Sequence, residues 1–405
     1  MLTSLALIFL IGLALASVCQ RLNLPRIIGM LIAGILLGPY VLDLFDSSIL
    51  GISADLRRMA LVIILIKAGL SLNIEDLKKV GRPAVLMSFL PALFEILACV
   101  LFAPLALDVD RTEAAVMGAV LGAVSPAVVV PRMVQLMEER YGTDKSIPQM
   151  ILAGASLDDV FVIVLFSTFV GMAQGSGAQI MDFVNIPVSI ALGILLGAVV
   201  GFALAWFYEM NFSRGRLIRN SVKVIILLGV SFLLLAAEDW LEGIVPISGL
   251  LAVMSAALVL AMRSVPQVTS RLQEKYGKLW LAAEVILFVL VGAAVDIRYT
   301  VQAGAGAVLV IATGLLFRSA GVWLCMTGTA LNRKERLYCV IAYLPKATVQ
   351  AAIGSVPLAM GLPCGNIVLS VAVLSILITA PLGAIGMDMT YQKLLKHDPA
   401  EKARP

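Results

Sequence analysis

The stretch GASLDDVFVIVLF, residues 154–166, sets two adjacent carboxylates, Asp158 and Asp159, near the middle of an apolar run from about Ile147 to Met172. On insertion scales an acid at the centre of a membrane helix costs about 2.5–3.5 kcal/mol. The question is whether this run lies in a bilayer, and the rest of the chain answers it. Of the 405 residues, 60% are hydrophobic and 14% are charged, and the mean hydropathy is +1.01. Soluble domains carry about 25% charged residues. Here the apolar residues fall into blocks of about 17 to 28, separated by short polar turns, and a bilayer core calls for about 20 per helix. The composition therefore predicts an all-α polytopic membrane protein.

Thirteen spans are predicted, at 3–19, 25–42, 56–73, 83–107, 113–136, 147–173, 183–208, 221–237, 245–262, 279–295, 303–328, 335–360 and 366–388. Alternate loops are basic: Arg21 and Arg26, then Lys78, Lys79 and Arg82, then Arg132, Arg140 and Lys145, and so on to Arg333, Lys334 and Arg336. The opposite loops hold only Arg57, Arg58, Arg111 and Arg298 beside several acids. The positive-inside rule then puts the N-terminus outside and the C-terminus in the cytoplasm, as expected for a bacterial cytoplasmic membrane. No basic residue precedes the first apolar stretch, which is read as a retained helix. The five cysteines are scattered, mostly within spans, and read as small core residues. The single histidine, His397, lies in the tail, so a histidine-based metal site or proton relay within the membrane is excluded.

Two pairs of segments resemble each other: GLSLNI (69–74) with GAAVDI (292–297), and LPRIIGMLIAGILLGP (24–39) with VPISGLLAVMSAALVL (245–260). They match spans 1–6 with spans 8–13 and leave span 7 as a linker. The odd displacement predicts two inverted six-helix repeats, an arrangement that places transport sites near the midplane between the repeats. Glu95, in LPALFEILACV, and Arg318, in GLLFRSAGVWL, occupy equivalent places in the repeats. A buried Glu95–Arg318 ion pair is the simplest inference, serving either as an architectural bridge or in transport itself. GAVSPAVVVPRM (122–133) and AYLPKATVQAAIG (342–354) carry the matched prolines Pro126 and Pro345. Proline removes a ladder N–H, and such breaks persist in a bilayer only within protein or beside a wet cavity. Two interrupted helices crossing at the midplane are predicted, with Lys346 offsetting exposed carbonyls near the acids.

Lys346 would compensate one aspartate. It would not compensate both, because neighbours on a helix point about 100° apart. One carboxylate is left for something that comes and goes, and a small cation and a proton are the natural competitors. That chemistry is proton-coupled exchange. It needs no cofactor and no enzymatic step, and its partners are monovalent cations, protons and membrane lipid.

SPAVVVP (125–131), ASLDDVF (155–161) and LPKATVQAAIG (344–354) together resemble the monovalent cation:proton antiporter superfamily, and within it the sodium/hydrogen antiporters of the NHA-type branch. The resemblance implies a homodimer with scaffold spans in 1–73 and 221–295, and a moving transport part in 83–173 and 303–388. Residues 183–208 would link them, and 389–405 would form a cytoplasmic tail. It further implies elevator-like alternating access, Na⁺ or Li⁺ held by Asp159 with Asp158 as partner carboxylate, and Ser125 with broken-helix carbonyls completing the coordination. Many relatives carry an acid where this chain has Ser125, and a lysine where it has Arg318. Potassium/proton exchange on the same fold and a sodium-coupled organic-anion symporter are the alternatives. An intramembrane aspartyl protease would need its carboxylates on separate helices, typically with a GxGD motif, which is absent.

Overall fold

The computed structural model describes residues 1–22, 24–71, 81–174, 180–215, 218–241, 245 and 247–398. Part of GLSLNI, Lys78 and Lys79, Arg216 and the end of the tail lie outside the described residues. The described chain is helical, with one isolated antiparallel bridge, between Tyr141 and His397. In order the helices are α1 (Leu2–Arg21), α2 (Arg26–Leu37), α3 (Ser47–Gly51), α4 (Ser53–Ser71), α5 (Arg82–Met87), α6 (Leu90–Ala106), α7 (Arg111–Leu121), α8 (Pro126–Glu138) and α9 (Ile147–Gln174). They continue as α10 (Ile180–Ser213), α11 (Asn220–Leu241), α12 (Gly249–Arg263), α13 (Pro266–Ala293), α14 (Ile297–Cys325), α15 (Arg333–Ala342), α16 (Thr348–Gly354), α17 (Val356–Ala359) and α18 (Gly365–Leu394). Among the described residues, seven helices are long and apolar enough to cross a membrane, and the protein is an integral membrane protein.

Several elements depart from the predicted spans. The span at 83–107 is kinked into α5 and α6 at Ser88 and Phe89, just before Pro91, which cannot donate to the ladder. α13 begins at Pro266, well before the apolar window at 279, because hydropathy marks the buried part of a helix and not its polar extension. The spans at 113–136 and 335–360 are each interrupted: α7 stops at Leu121 and α8 starts at Pro126, while α15 stops at Ala342 and α16 starts at Thr348.

The chain forms two compact units. The first comprises Met1–Gly51, Asn73–Phe169 and Phe288–Pro405; the second comprises Ile52–Leu72 and Val170–Leu287. In the first, α6 and α14 run antiparallel in close contact, with Gly306 against Ala106, Gly314 against Glu95 and Gly321 against Pro91. Small residues are the usual means of bringing membrane helices this close, since lipid gives no hydrophobic drive for association. Arg132 pairs with Asp388 at 3.0 Å and Lys145 with Glu335 at 2.8 Å, tying the ends of the interrupted spans to their neighbours. In the second unit, Gly193, Gly197 and Gly201 of α10 lie on Ser248, Ala252 and Ala256 at the start of α12. There too Arg58 pairs with Asp239 at 3.1 Å, and Lys67 lies over the Trp280 ring, 5.9 Å from its centre.

Candidate functional site

The two interruptions are built alike. α7 and α15 both start with a capping box, Asp110 with Glu113 and Asn332 with Glu335, and both stop short of a proline, Pro126 at the first residue of α8 and Pro345 within the second break. Stopping a helix inside a membrane leaves carbonyls without ladder partners on one side and N–H groups on the other. Here side chains and the opposite break supply the partners. At the end of α7, the Leu121 carbonyl accepts from Lys346 Nζ, the Gly122 carbonyl from Arg318 Nη1, and the Ala123 carbonyl from Gln350 Nε2. Cations are favoured there by the negative end of the helix dipole. On the far side of the break, the Val124 N–H donates to Asp158 Oδ2 at 2.7 Å and the Ser125 N–H donates to the Pro345 carbonyl at 2.8 Å. That last bond joins one break directly to the other. In the second break, Tyr343 offers its carbonyl to Arg318 Nε at 2.6 Å, and the Lys346 N–H donates to Thr379 Oγ1 at 3.0 Å.

The charged side chains around the crossing form a chain of pairs. Arg318 Nη2 lies 3.1 Å from Asp158 Oδ2, Arg318 Nη1 lies 3.0 Å from Glu95 Oε2, and Lys346 Nζ lies 2.7 Å from Glu95 Oε1. All four groups are buried, at 0% or 1% exposure. Pairing at this depth is obligatory, since an unpaired buried charge costs several kcal/mol. The two cations balance Glu95 and Asp158.

Asp159 stands outside that balance. It makes no ion pair among the described residues, and its Oδ1 is buried without a hydrogen-bond partner. Asp158 Oδ1 and Ser125 Oγ are also buried without hydrogen-bond partners among the described residues. Ser125 is the N-cap residue of α8, yet its side chain caps nothing, although serine at that position usually accepts an N–H from the first turn. Among the described residues these are three unpartnered buried oxygens, on two carboxylates and a hydroxyl, carried by α9 and the start of α8.

The structure brings Asp158, Ser125, Lys346, Glu95 and Arg318 together with both prolines, and it places Asp159 next to them on α9. It corrects one pairing. Lys346 does not pair with an aspartate: it pairs with Glu95, and Asp158 is taken by Arg318. The cause is the course of the break, which turns Lys346 toward α6 and the end of α7, where its ammonium also meets the Leu121 carbonyl. Three further residues belong to the framework and were not singled out from sequence. Gln350 and Thr379 are buried polar residues in apolar spans, and that is the signal the sequence carries for them. Tyr343 acts through its carbonyl and through its ring, whose centre is 5.6 Å from the Arg318 guanidinium.

The family described as sodium/hydrogen exchanger, transmembrane, matches residues 5–391. Human sodium/hydrogen exchanger 9B2 is 33% identical over 384 residues, covering 92% of this chain and 70% of that protein. Human sodium/hydrogen exchanger 9B1 is 31% identical over 392 residues, covering 93% and 74%. Among solved structures, the sodium proton antiporter MjNhaP1 of Methanocaldococcus jannaschii at pH 8 superimposes with a TM-score of 0.81 over 97% of this chain and 98% of that one, at 22% identity, so the fold is shared. With a match over nearly its whole length and relatives above 30% identity, the chain belongs to the sodium/hydrogen exchanger family.

Proposed function

We propose that the protein exchanges Na⁺ or Li⁺ for H⁺ across its membrane, with the Asp159 carboxylate held in turn by the cation and by the proton. One observation carries this reading: the two buried cations are used up by Glu95 and Asp158, so an ionised Asp159 leaves one uncompensated negative charge in the site. A single monovalent ion restores neutrality, and a proton does so equally well. Because both neutralise the same group, each displaces the other, and the loaded site passes through the membrane without net buried charge. Asp158 Oδ1 and Ser125 Oγ are the further oxygens that would replace the cation's water.

Alternating access would come from an elevator-like movement of the part containing residues 83–173 and 303–388, within a homodimer whose scaffold lies in 1–73 and 221–295. The basic loops support an N-terminus outside and a C-terminus in the cytoplasm. The names of the relatives and of the archaeal neighbour, all sodium/hydrogen exchangers or antiporters, support sodium as the cargo.

The test is reconstitution into liposomes with a pH-sensitive dye inside, followed by external Na⁺, Li⁺ or K⁺. Proton movement driven by Na⁺ or Li⁺ is expected. A response to K⁺ alone would change the cargo to potassium, and silence toward all three would replace exchange with sodium-coupled organic-anion uptake.

A further inference from the structure

Gln350 is fully buried in the first turn of α16, and both ends of its amide are engaged. Oε1 accepts the Ala347 N–H at 2.8 Å, which caps the start of α16 in the way a glutamine or glutamate at that position commonly does. Capping accounts for the acceptor only. The NH₂ group reaches across to the other break, donating to the Ala123 carbonyl at 2.7 Å and to Leu121 at 3.4 Å.

The Ala123 carbonyl belongs to the same peptide unit as the Val124 N–H, the group that donates to Asp158 Oδ2 at 2.7 Å. A trans peptide is planar, with C=O and N–H pointing in opposite directions. Holding its oxygen therefore aims its hydrogen. We infer that Gln350 is a positioning residue that sets cation selectivity: it clamps the Ala123–Val124 peptide with its N–H on Asp158 and withholds the Ala123 oxygen from the cation. The inference rests on the exchange reading above.

Without the clamp, the peptide is free to turn. Asp158 loses a donor, and a neutral carbonyl oxygen becomes available to the ion. The freed neutral carbonyl enlarges the oxygen set and dilutes its mean field strength, and the number and field strength of coordinating oxygens are what separate K⁺ from Na⁺ in carbonyl-lined sites.

The experiment compares wild type with Gln350→Met, which keeps length and volume but has neither donor nor acceptor. Gln350→Glu serves as a second variant, since its acid retains the capping acceptor while its ionised form lacks the donor. In liposomes, the ability of K⁺ to compete with Na⁺-driven proton flux is measured alongside thermal melting of the purified proteins. In the variants the preference for Na⁺ over K⁺ is expected to fall on the order of tenfold, which corresponds to about 1.4 kcal/mol. An unchanged preference in folded protein, with rates lowered equally for every cation, would overturn the inference and leave Gln350 a structural cap. If Gln350→Met does not fold, Gln350→Glu carries the same readout. Absence of cation-driven flux in wild type would instead overturn the exchange reading itself, a separable result.

Discussion

Asp158 and Asp159 differ by one step along α9, about 100° around the helix, and that rotation gives them different work. Asp158 is turned onto Arg318 and the Val124 N–H, whereas Asp159 Oδ1 has no hydrogen-bond partner among the described residues. Asp159→Asn removes the exchangeable charge and keeps the shape, so cation-driven proton flux should vanish while the melting temperature stays within a few degrees of wild type. The supporting charges should behave in the opposite way. Arg318→Ala strands Asp158 and leaves Glu95 with Lys346 alone, and Glu95→Ala strands Lys346; each is expected to cost about 3–5 kcal/mol of stability, the range for breaking a buried pair. Their effects should be non-additive by more than about 0.5 kcal/mol in a double-mutant cycle followed by thermal melting, and strict additivity would refute direct coupling. The Glu95–Arg318 contact was legible in the sequence because both residues sit at equivalent places in two matched apolar segments. The partner of Lys346 was not legible, because a residue just after a break has no helical periodicity from which to read its direction.

At the scale of the elements, the two interruptions are what bring the charges together, and they depend on room made elsewhere. Gly383 of α18 lies directly against the Pro345 ring, where a Cβ would overlap it. Gly383→Ala should push the second break away from the first and weaken the Ser125–Pro345 bond. Overpacking of this kind costs about 1–3 kcal/mol, so a lowered melting temperature is expected together with reduced flux. A neutral outcome on both would mean that α18 does not hold the break in place. The prolines made both interruptions visible in the sequence, since each removes a donor where the hydropathy shows no loop. The groups that satisfy the broken ends were less visible: Thr379 and Gln350 look like isolated polar residues until the chain folds and brings them to the orphaned backbone groups. The kink before Pro91 was missed for a related reason, as a proline near a span's start is read as an entry signal when the span is taken to be continuous.

For the whole molecule, composition and the spacing of apolar blocks were enough to specify an integral membrane helical protein, because a bilayer demands that every backbone group be satisfied within the span. How the chain closes over the site was not available from composition, since it depends on which of the ionisable groups within the apolar spans meet. If cation and proton compete for one carboxylate, acidifying the medium on the cation-loading side should raise the apparent KM for Na⁺ while leaving the maximal rate unchanged. A fall in maximal rate at constant KM would argue for separate sites. The central claim is tested most directly by adding Na⁺ to the purified, weakly buffered protein in detergent and following proton release, for wild type and for Asp159→Asn. The account expects wild type to release protons as sodium binds, less so as the starting pH is raised and the site is already empty of protons, with no release from the variant. Sodium binding without proton release in wild type, or equal release from Asp159→Asn, would contradict it.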